Sequence, residues 1–381
     1  MRLVFVLDSL GSGGAQRQVV ELACFLHAKR DVAVEILIYH DIDFFAPRLR
    51  EAGIPLTVLP KRRKVDLGFV LRLRRWLAER RPDVVHAFLL APALWTLLAV
   101  RGLPRGRRPR FIAGERSAEI AARPLLERLQ RFVYRRSDAV SANAASVAWE
   151  ISAKLDVAKD RVHHLPNGID FDAWDRLAAR PCPIVLAPGR LHLALVGGLR
   201  AEKNHLVLLD ALAALEPSRR AALEVLFVGA ESGSPGDAGR VHEGIVQRGL
   251  ESVVRVVPST AEIAALIARL DAIVMPSAFE GFPNVLLEAM ASGVPAIASA
   301  VGAIPELLTE GETGFLVPPG DTDALVAALV AFQDLSHETR RALGQRARTA
   351  VRARYGIEVV ADRYLALYRQ LADGAGTRSG A

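Results

Sequence analysis

Leu3-Val4-Phe5-Val6-Leu7-Asp8-Ser9-Leu10-Gly11-Ser12-Gly13-Gly14-Ala15-Gln16 is the stretch that settles the fold class. Five apolar residues run without interruption, a glycine-rich turn follows, and from 16 to 28 apolar residues recur at helical spacing. That order is strand, turn, helix. Further strand-like runs follow at 34–39, 55–59, 84–88, 111–114 and 139–142, separated by helix-length segments such as 67–80 and 125–135. Strands that read as continuous apolar runs and alternate with helices predict a parallel sheet covered on both faces.

The rhythm breaks at 165–188, where several prolines and the pair Asn167-Gly168 mark a linker, and then restarts. Strand candidates at 193–196, 224–228, 253–257, 272–275, 296–298 and 314–317 alternate with helical stretches. The expected fold is therefore α/β, with two doubly wound Rossmann-like domains facing each other across a cleft. The domains are expected at 1–180 and 181–355, followed by a helix at 356–372 able to pack on either one and a loose tail at 373–381. In open α/β sheets ligands bind outside the carboxyl ends of the strands.

Composition agrees with a folded globular protein: of 381 residues 51% are hydrophobic and 24% charged, and no long biased tract occurs. Two cysteines, Cys24 and Cys182, cannot build a disulfide framework and fit a cytoplasmic protein. The first apolar run meets Asp8 at once, unlike a secretory signal. The longest apolar run, from Ala87 to Val100, is 14 residues with Pro92 inside it, short of the ~20 that span a bilayer. Charge is uneven. Residues 1–180 hold 31 Lys and Arg against 20 Asp and Glu, whereas 181–381 hold 18 against 22. Between Lys61 and Arg136, 20 basic residues face 6 acidic ones. Such a surface calls for an anionic partner, whether lipid headgroups, a polyphosphate substrate or nucleic acid.

The stretch richest in chemistry is Met275-Pro276-Ser277-Ala278-Phe279-Glu280-Gly281-Phe282-Pro283-Asn284-Val285-Leu286-Leu287-Glu288-Ala289-Met290. Pro283 suits a helix's first turn, so the amides of Asn284 and Val285 would be offered to an anion, with roughly half a positive charge of helix dipole behind them. Glu280 precedes the turn and Glu288 lies one turn in. Two carboxylates around an anion-holding helix start suit a nucleotide sugar, one for the sugar hydroxyls and one for the ribose.

This segment resembles the Glu-x7-Glu motif of the retaining glycosyltransferases of family four, which adopt the GT-B fold. Other motifs fall in that family's order: Gly13-Gly14-Ala15 after the first strand, Pro166-Asn167-Gly168-Ile169-Asp170 at the linker, Val196-Gly197-Gly198-Leu199-Arg200-Ala201-Glu202-Lys203-Asn204-His205, Ser292 to Ile297, and Glu312 to Gly320. The resemblance implies an acceptor-binding first domain and a donor-binding second one. It assigns catalysis to Glu280 and Lys203, with Glu280 on the transferred sugar and Lys203 neutralising the leaving diphosphate. Donor binding would fall to Gly14, Arg200, Lys203, Ser277, Glu280, Gly281, Phe282, Asn284, Val285 and Glu288, with Glu288 on the ribose. A plain tight turn would explain Gly14 equally.

No cofactor and no metal are expected, because the nucleotide sugar is a substrate and fixed cations and N–H donors aimed at the leaving group can stabilise the transition state. Asp41-Ile42-Asp43 and Asp321-Thr322-Asp323 have metal-motif spacing but stand at loop or cap positions. Two departures from the family pattern stand out. Gly198 replaces a frequent Arg, a charge Arg200 could supply, and Gly114-Glu115-Arg116-Ser117 lacks a frequent His, so that Glu115 or Arg116 could contact sugar or acceptor, or Glu115 simply pair with Arg116 or another arginine. His86, at a strand end, could touch donor or acceptor or be a hydrogen-bonded structural residue.

Taken singly, the amphipathic basic segments at 61–77 and 125–136 read as helices with Phe69, Leu73 and Trp76 toward the core and solvated arginines, but the summed basic excess favours an anionic membrane surface beneath a lipid-linked or surface-glycan acceptor. The expected enzyme is thus a retaining glycosyltransferase, UDP-sugar favoured, peripheral at the inner face of the membrane. The rivals are an epimerase or hydrolase of the nucleotide sugar, which would turn over donor alone, and a non-catalytic basic protein that binds membrane or nucleic acid. Nucleic acid is not expected, since aromatics do not interleave the basic stretches.

Overall fold

The computed structural model describes residues 1–11, 13–116, 120, 123–230 and 236–373. In the first of two units, seven strands form one sheet: β1 (Arg2–Val6), β2 (Ala33–Ile38), β3 (Leu56–Val58), β4 (Val84–Phe88), β5 (Arg110–Glu115), β6 (Ala139–Ala142) and β7 (Val162–His164). Their order is β3-β2-β1-β4-β5-β6-β7, and every pairing is parallel. Leu3 stands opposite both Val34 and Val84, so adjacent strands bring apolar side chains into register. Helices cover both faces, which is why these strands read as uninterrupted apolar runs. β7 escaped the sequence reading: it has three residues, two of them histidines, and is only half-buried.

The second unit holds six parallel strands: β8 (Leu191–Val196), β9 (Leu223–Val228), β10 (Val254–Val257), β11 (Ala272–Met275), β12 (Ala296–Ser299) and β13 (Gly314–Val317). The order β10-β9-β8-β11-β12-β13 reverses direction between β8 and β11. Its core gathers Leu195, Leu208, Leu212, Phe227, Val274, Ile297 and Phe332.

The units divide at Gly168/Ile169 and again at Gly356/Ile357, which moves the expected boundary at 180 upstream. Residues read as linker contain the Phe171–Ala178 helix, capped by Asp170 through the Ala173 amide (2.9 Å). Trp174 Nε1 donates to Ser292 Oγ (2.8 Å) and Arg348 pairs with Asp175 (2.6 Å), fastening this helix to the second unit. The final helix, Ile357–Asp373, belongs to the first unit, where Tyr364, Leu365 and Tyr368 enter the same core as Leu3, Phe5 and Ile112. Of the expected tail only Asp373 is described; 374–381 lie outside the described residues, as does Ser117 of the 114–117 loop.

Candidate functional site

The candidate site is built where the strand order reverses, the place at which doubly wound sheets open a crevice. β8 and β11 are neighbours, so the chain leaving each at its carboxyl end meets the other. After β8 come Gly197, Gly198 and the short turn Ala201–Lys203, then Asn204 in left-handed conformation (φ 52°) and the His205–Ala214 helix. After β11 come Pro276 to Pro283 and the Asn284–Ala291 helix.

Three hydrogen bonds tie these two connections together, and a fourth braces the second from within. Asn204 Nδ2 donates to the Pro276 carbonyl (3.0 Å) and the Ala278 amide to the Glu202 carbonyl (2.9 Å). Lys203 Nζ donates to Glu280 Oε1 at 2.6 Å, and Ser277 Oγ donates to the same oxygen at 2.8 Å. Among the described residues Glu280 Oε2 has no hydrogen-bond partner, so one carboxylate oxygen is anchored and the other stands open to a ligand. The Lys203 and Glu280 side chains are 19% and 12% exposed, shielded enough for their charges to act strongly yet still reachable.

From the other side the Glu280 loop is pinned by the turn after β12. The Ala303 amide donates to the Gly281 carbonyl (3.1 Å). Gly302, at φ +53°, lies so close that a Cβ there would stand 1.8 Å from the Glu280 carbonyl oxygen. Only glycine permits that approach. Spacing rules gave no hint of Gly302, because the requirement comes from a backbone 22 positions earlier. Phe279, 50% exposed beside Glu280, was also missed.

Pro283 caps the Asn284–Ala291 helix instead of opening its first turn, and its carbonyl accepts from both Leu286 (3.1 Å) and Leu287 (3.2 Å). The amides of Asn284 and Val285 therefore precede the first intrahelical bond, at the positive end of the helix dipole. Glu288 follows one turn in and is 5% exposed. Arg200 is exposed, 3.4 Å from Glu202 Oε1. Two residues expected on the donor turn inward: Ser277 is 1% exposed beneath Glu280, and Phe282 packs its ring on Tyr355 with centroids 5.7 Å apart. Gly281 stays half-buried on the loop. His205, next to this cluster, lies edge-on to Phe227 (5.0 Å), and burial, with Lys203 adding to it, lowers its pKa to about 4.

In the first unit Gly14 opens the Gly14–Lys29 helix just after β1. Of the other residues expected there as sugar or acceptor contacts, His86 and Glu115 are buried and Arg116 is half-buried. His86 is fully buried, with Nδ1 on the Tyr368 hydroxyl and Nε2 on Ser141 Oγ, both at 2.8 Å. Burial, helped by the Arg116 charge, holds its pKa well below the usual histidine value. Glu115, 2% exposed, accepts from the Tyr134 hydroxyl (2.5 Å) and the Arg116 amide (2.8 Å). Arg116 donates to Asn167 Oδ1 and to the Tyr364 hydroxyl (2.8 Å), and its guanidinium lies 4.9 Å from the Phe88 ring centroid. β4 and β5 are inner strands roofed by the terminal helix, and the two tyrosines of that roof take the polar groups that strand ends would otherwise present.

Among the described residues no group of three or more His, Cys, Asp or Glu could hold a metal ion, and no helix is long and apolar enough to cross a membrane.

Residues 12–173 match the profile described as Glycosyltransferase Family 4 and residues 190–334 that of Glycosyl transferases group 1. The glycogen synthase of Mycobacterium tuberculosis is 31% identical over 296 residues, covering 73% of this chain and 67% of that protein. The MMP alpha-(1->4)-mannosyltransferase of Mycolicibacterium hassiacum is 30% identical over 319 residues, covering 79% and 74%. The lipopolysaccharide core biosynthesis mannosyltransferase LpsB of Rhizobium meliloti is 32% identical over 210 residues, 54% of this chain and 58% of that protein. Among solved structures, HepE of Anabaena in complex with UDP superposes with a TM-score of 0.81 at 19% identity, covering 97% of this chain and 100% of that one. With both halves matched and relatives at 30% identity or more over most of their length, the chain belongs to the family 4 glycosyltransferases and carries the two Rossmann-like domains of the GT-B fold.

Proposed function

We propose that the chain moves a sugar from a UDP-sugar to a lipid-linked or surface-glycan acceptor, with retention of configuration, without a metal ion, at the cytoplasmic face of the membrane. The observation that carries this reading is the Lys203–Glu280–Ser277 cluster at the strand-order reversal, ahead of a helix start. Cleaving the bond between sugar C1 and the diphosphate oxygen leaves positive charge on the ring and negative charge on the diphosphate. Lys203 turns from Glu280 to the diphosphate, and the amides of Asn284 and Val285 hold its oxygens. Glu280 Oε2 takes a sugar hydroxyl while Ser277 keeps Oε1 in place, and Glu288 takes the ribose. The acceptor oxygen bonds to C1 on the face the diphosphate leaves, and its proton passes to the departing phosphate oxygen, so atoms and charge balance.

UDP is supported by the likeness to a fold neighbour solved with UDP, and a glycolipid or surface-glycan acceptor by the likeness to a lipopolysaccharide mannosyltransferase. The basic excess of residues 1–180 supports the membrane setting. The test is thermal stability against UDP, GDP, ADP and their sugar conjugates with EDTA present, since a ligand bound only by the folded chain raises Tm by mass action. A shift with uridine compounds alone is expected; a shift only with another base, or only after metal is restored, would refute the donor or the metal-free site respectively.

A further inference from the structure

We infer that the segment from Lys61 to Arg75 is a docking face for an anionic lipid bilayer, an inference that rests on the lipid-linked acceptor of the proposed function. The segment has seven basic residues and one acidic residue, Asp66. Asp66 is committed to the fold. Its Oδ1 accepts from the Phe69 amide (2.8 Å), capping the Leu67–Arg80 helix, and its Oδ2 accepts from the Arg62 amide (3.0 Å) and from Arg72 (3.3 Å). The two backbone bonds, of Arg62 and then Phe69, hold its carboxyl below the usual range. The lone carboxylate thus fastens the basic loop onto the helix start, while Arg62, Arg63, Lys64 and Arg74 remain exposed.

Beside these cations stand apolar side chains with no cover. Val65 and Leu67 are each 70% exposed and Leu71 63%, whereas Phe69, Leu73 and Leu77 of the same helix are buried. Leu67 and Leu71 are one turn apart and share a face. Large aliphatics left in solvent directly after four consecutive basic residues match an interface with charged headgroups above and acyl chains below. A nucleic acid would offer phosphates without an apolar layer, and its bases would call for exposed aromatics that this face lacks. The neighbouring loop exposes Ile42 and Phe44 but also Asp41 and Asp43, so the face ends there. The Lys61 amide donates to the Tyr39 carbonyl (3.1 Å), placing the face along the carboxyl-end edge of the sheet, the edge from which the Gly13-Gly14 turn leaves β1.

Flotation of the full chain with vesicles of phosphatidylcholine, with and without phosphatidylglycerol, tests the inference. One variant combines Arg62→Ser, Arg63→Ser and Lys64→Ser; another combines Leu67→Ser and Leu71→Ser. A control combining Arg105→Ser, Arg107→Ser and Arg269→Ser removes three exposed charges elsewhere. Flotation is expected only with phosphatidylglycerol, weakened roughly a hundredfold by the basic triple, about fivefold per charge, and about tenfold by the leucine pair. The control should change it less than about twofold. No flotation of the parent chain, an equal loss in the control, or binding of a single-stranded oligonucleotide that the segment variants abolish while vesicles are ignored would overturn it. The UDP-induced shift in Tm, measured on each variant, separates the two readings. Flotation as expected without any nucleotide shift would sink the donor site and leave this surface standing.

Discussion

Each unit gathers charged and polar side chains near the carboxyl ends of its strands, and the two gatherings differ in how much of their bonding capacity is spent. In the first unit His86 uses both ring nitrogens, Glu115 and Arg116 bond to tyrosine hydroxyls, and the Ile357–Asp373 helix supplies Tyr364 and Tyr368 to the group. In the second, Glu280 anchors one oxygen on Lys203 and Ser277, and the other has no hydrogen-bond partner among the described residues. Residue type does not separate a bonded interior network from a candidate reaction site. Unspent capacity on a shielded but reachable group does.

The largest effect that would sharpen this contrast is on turnover. Glu280→Ala and Lys203→Ala should each lower sugar transfer by about 10²–10³, the range for removing a preorganised charge from a transition state, with circular dichroism unchanged; normal transfer by the Glu280 variant would remove the central assignment. Next in size is Arg116→Ala. It strips Tyr364 and Asn167 of a charged partner inside the first unit and should cost about 2–4 kcal/mol of stability in urea unfolding. Donor KM should be unaltered, and a changed KM with unchanged stability would show that this cluster touches substrate.

Ser277→Ala tests positioning of Glu280. Loss of one hydrogen bond to a carboxylate predicts a roughly tenfold fall in kcat with little change in donor KM, restored by Ser277→Thr. The smallest effect is that of pH. His86 stays neutral in the folded chain while the unfolded chain takes up a proton below about 6.5, so unfolding binds protons and stability falls as pH drops through that value. His205, lowered to about 4, adds a second such loss between about 6.5 and 4. His86→Gln should flatten part of the Tm decline in that window, and an unchanged slope would show that His86 is not held neutral.

Much of the fold was legible because parallel strands buried on both faces leave apolar runs that composition cannot hide. What escaped was short or disguised: β7, with two histidines in three residues, and the Phe171–Ala178 helix, whose Asp170 cap and Phe171/Trp174 spacing were masked by surrounding proline and glycine. Glu280 and Lys203 could be named from their motifs, but their mutual bond spans 77 positions and exists only because β8 and β11 are neighbours. His86 and Arg116 stood beside Glu280 as candidate contacts, His86 with a hydrogen-bonded structural reading next to it. Only packing reveals Tyr364 and Tyr368, some 250 to 280 positions away, as their partners.

The most direct measurement is calorimetric titration of UDP into the parent chain, Lys203→Ala and Arg116→Ala. Binding by the parent, weakened tenfold or more in Lys203→Ala and unchanged in Arg116→Ala, is the predicted result. Equal affinity in the parent and Lys203→Ala, or a loss confined to Arg116→Ala, would place the donor away from the second unit's cluster and contradict the contrast between the two.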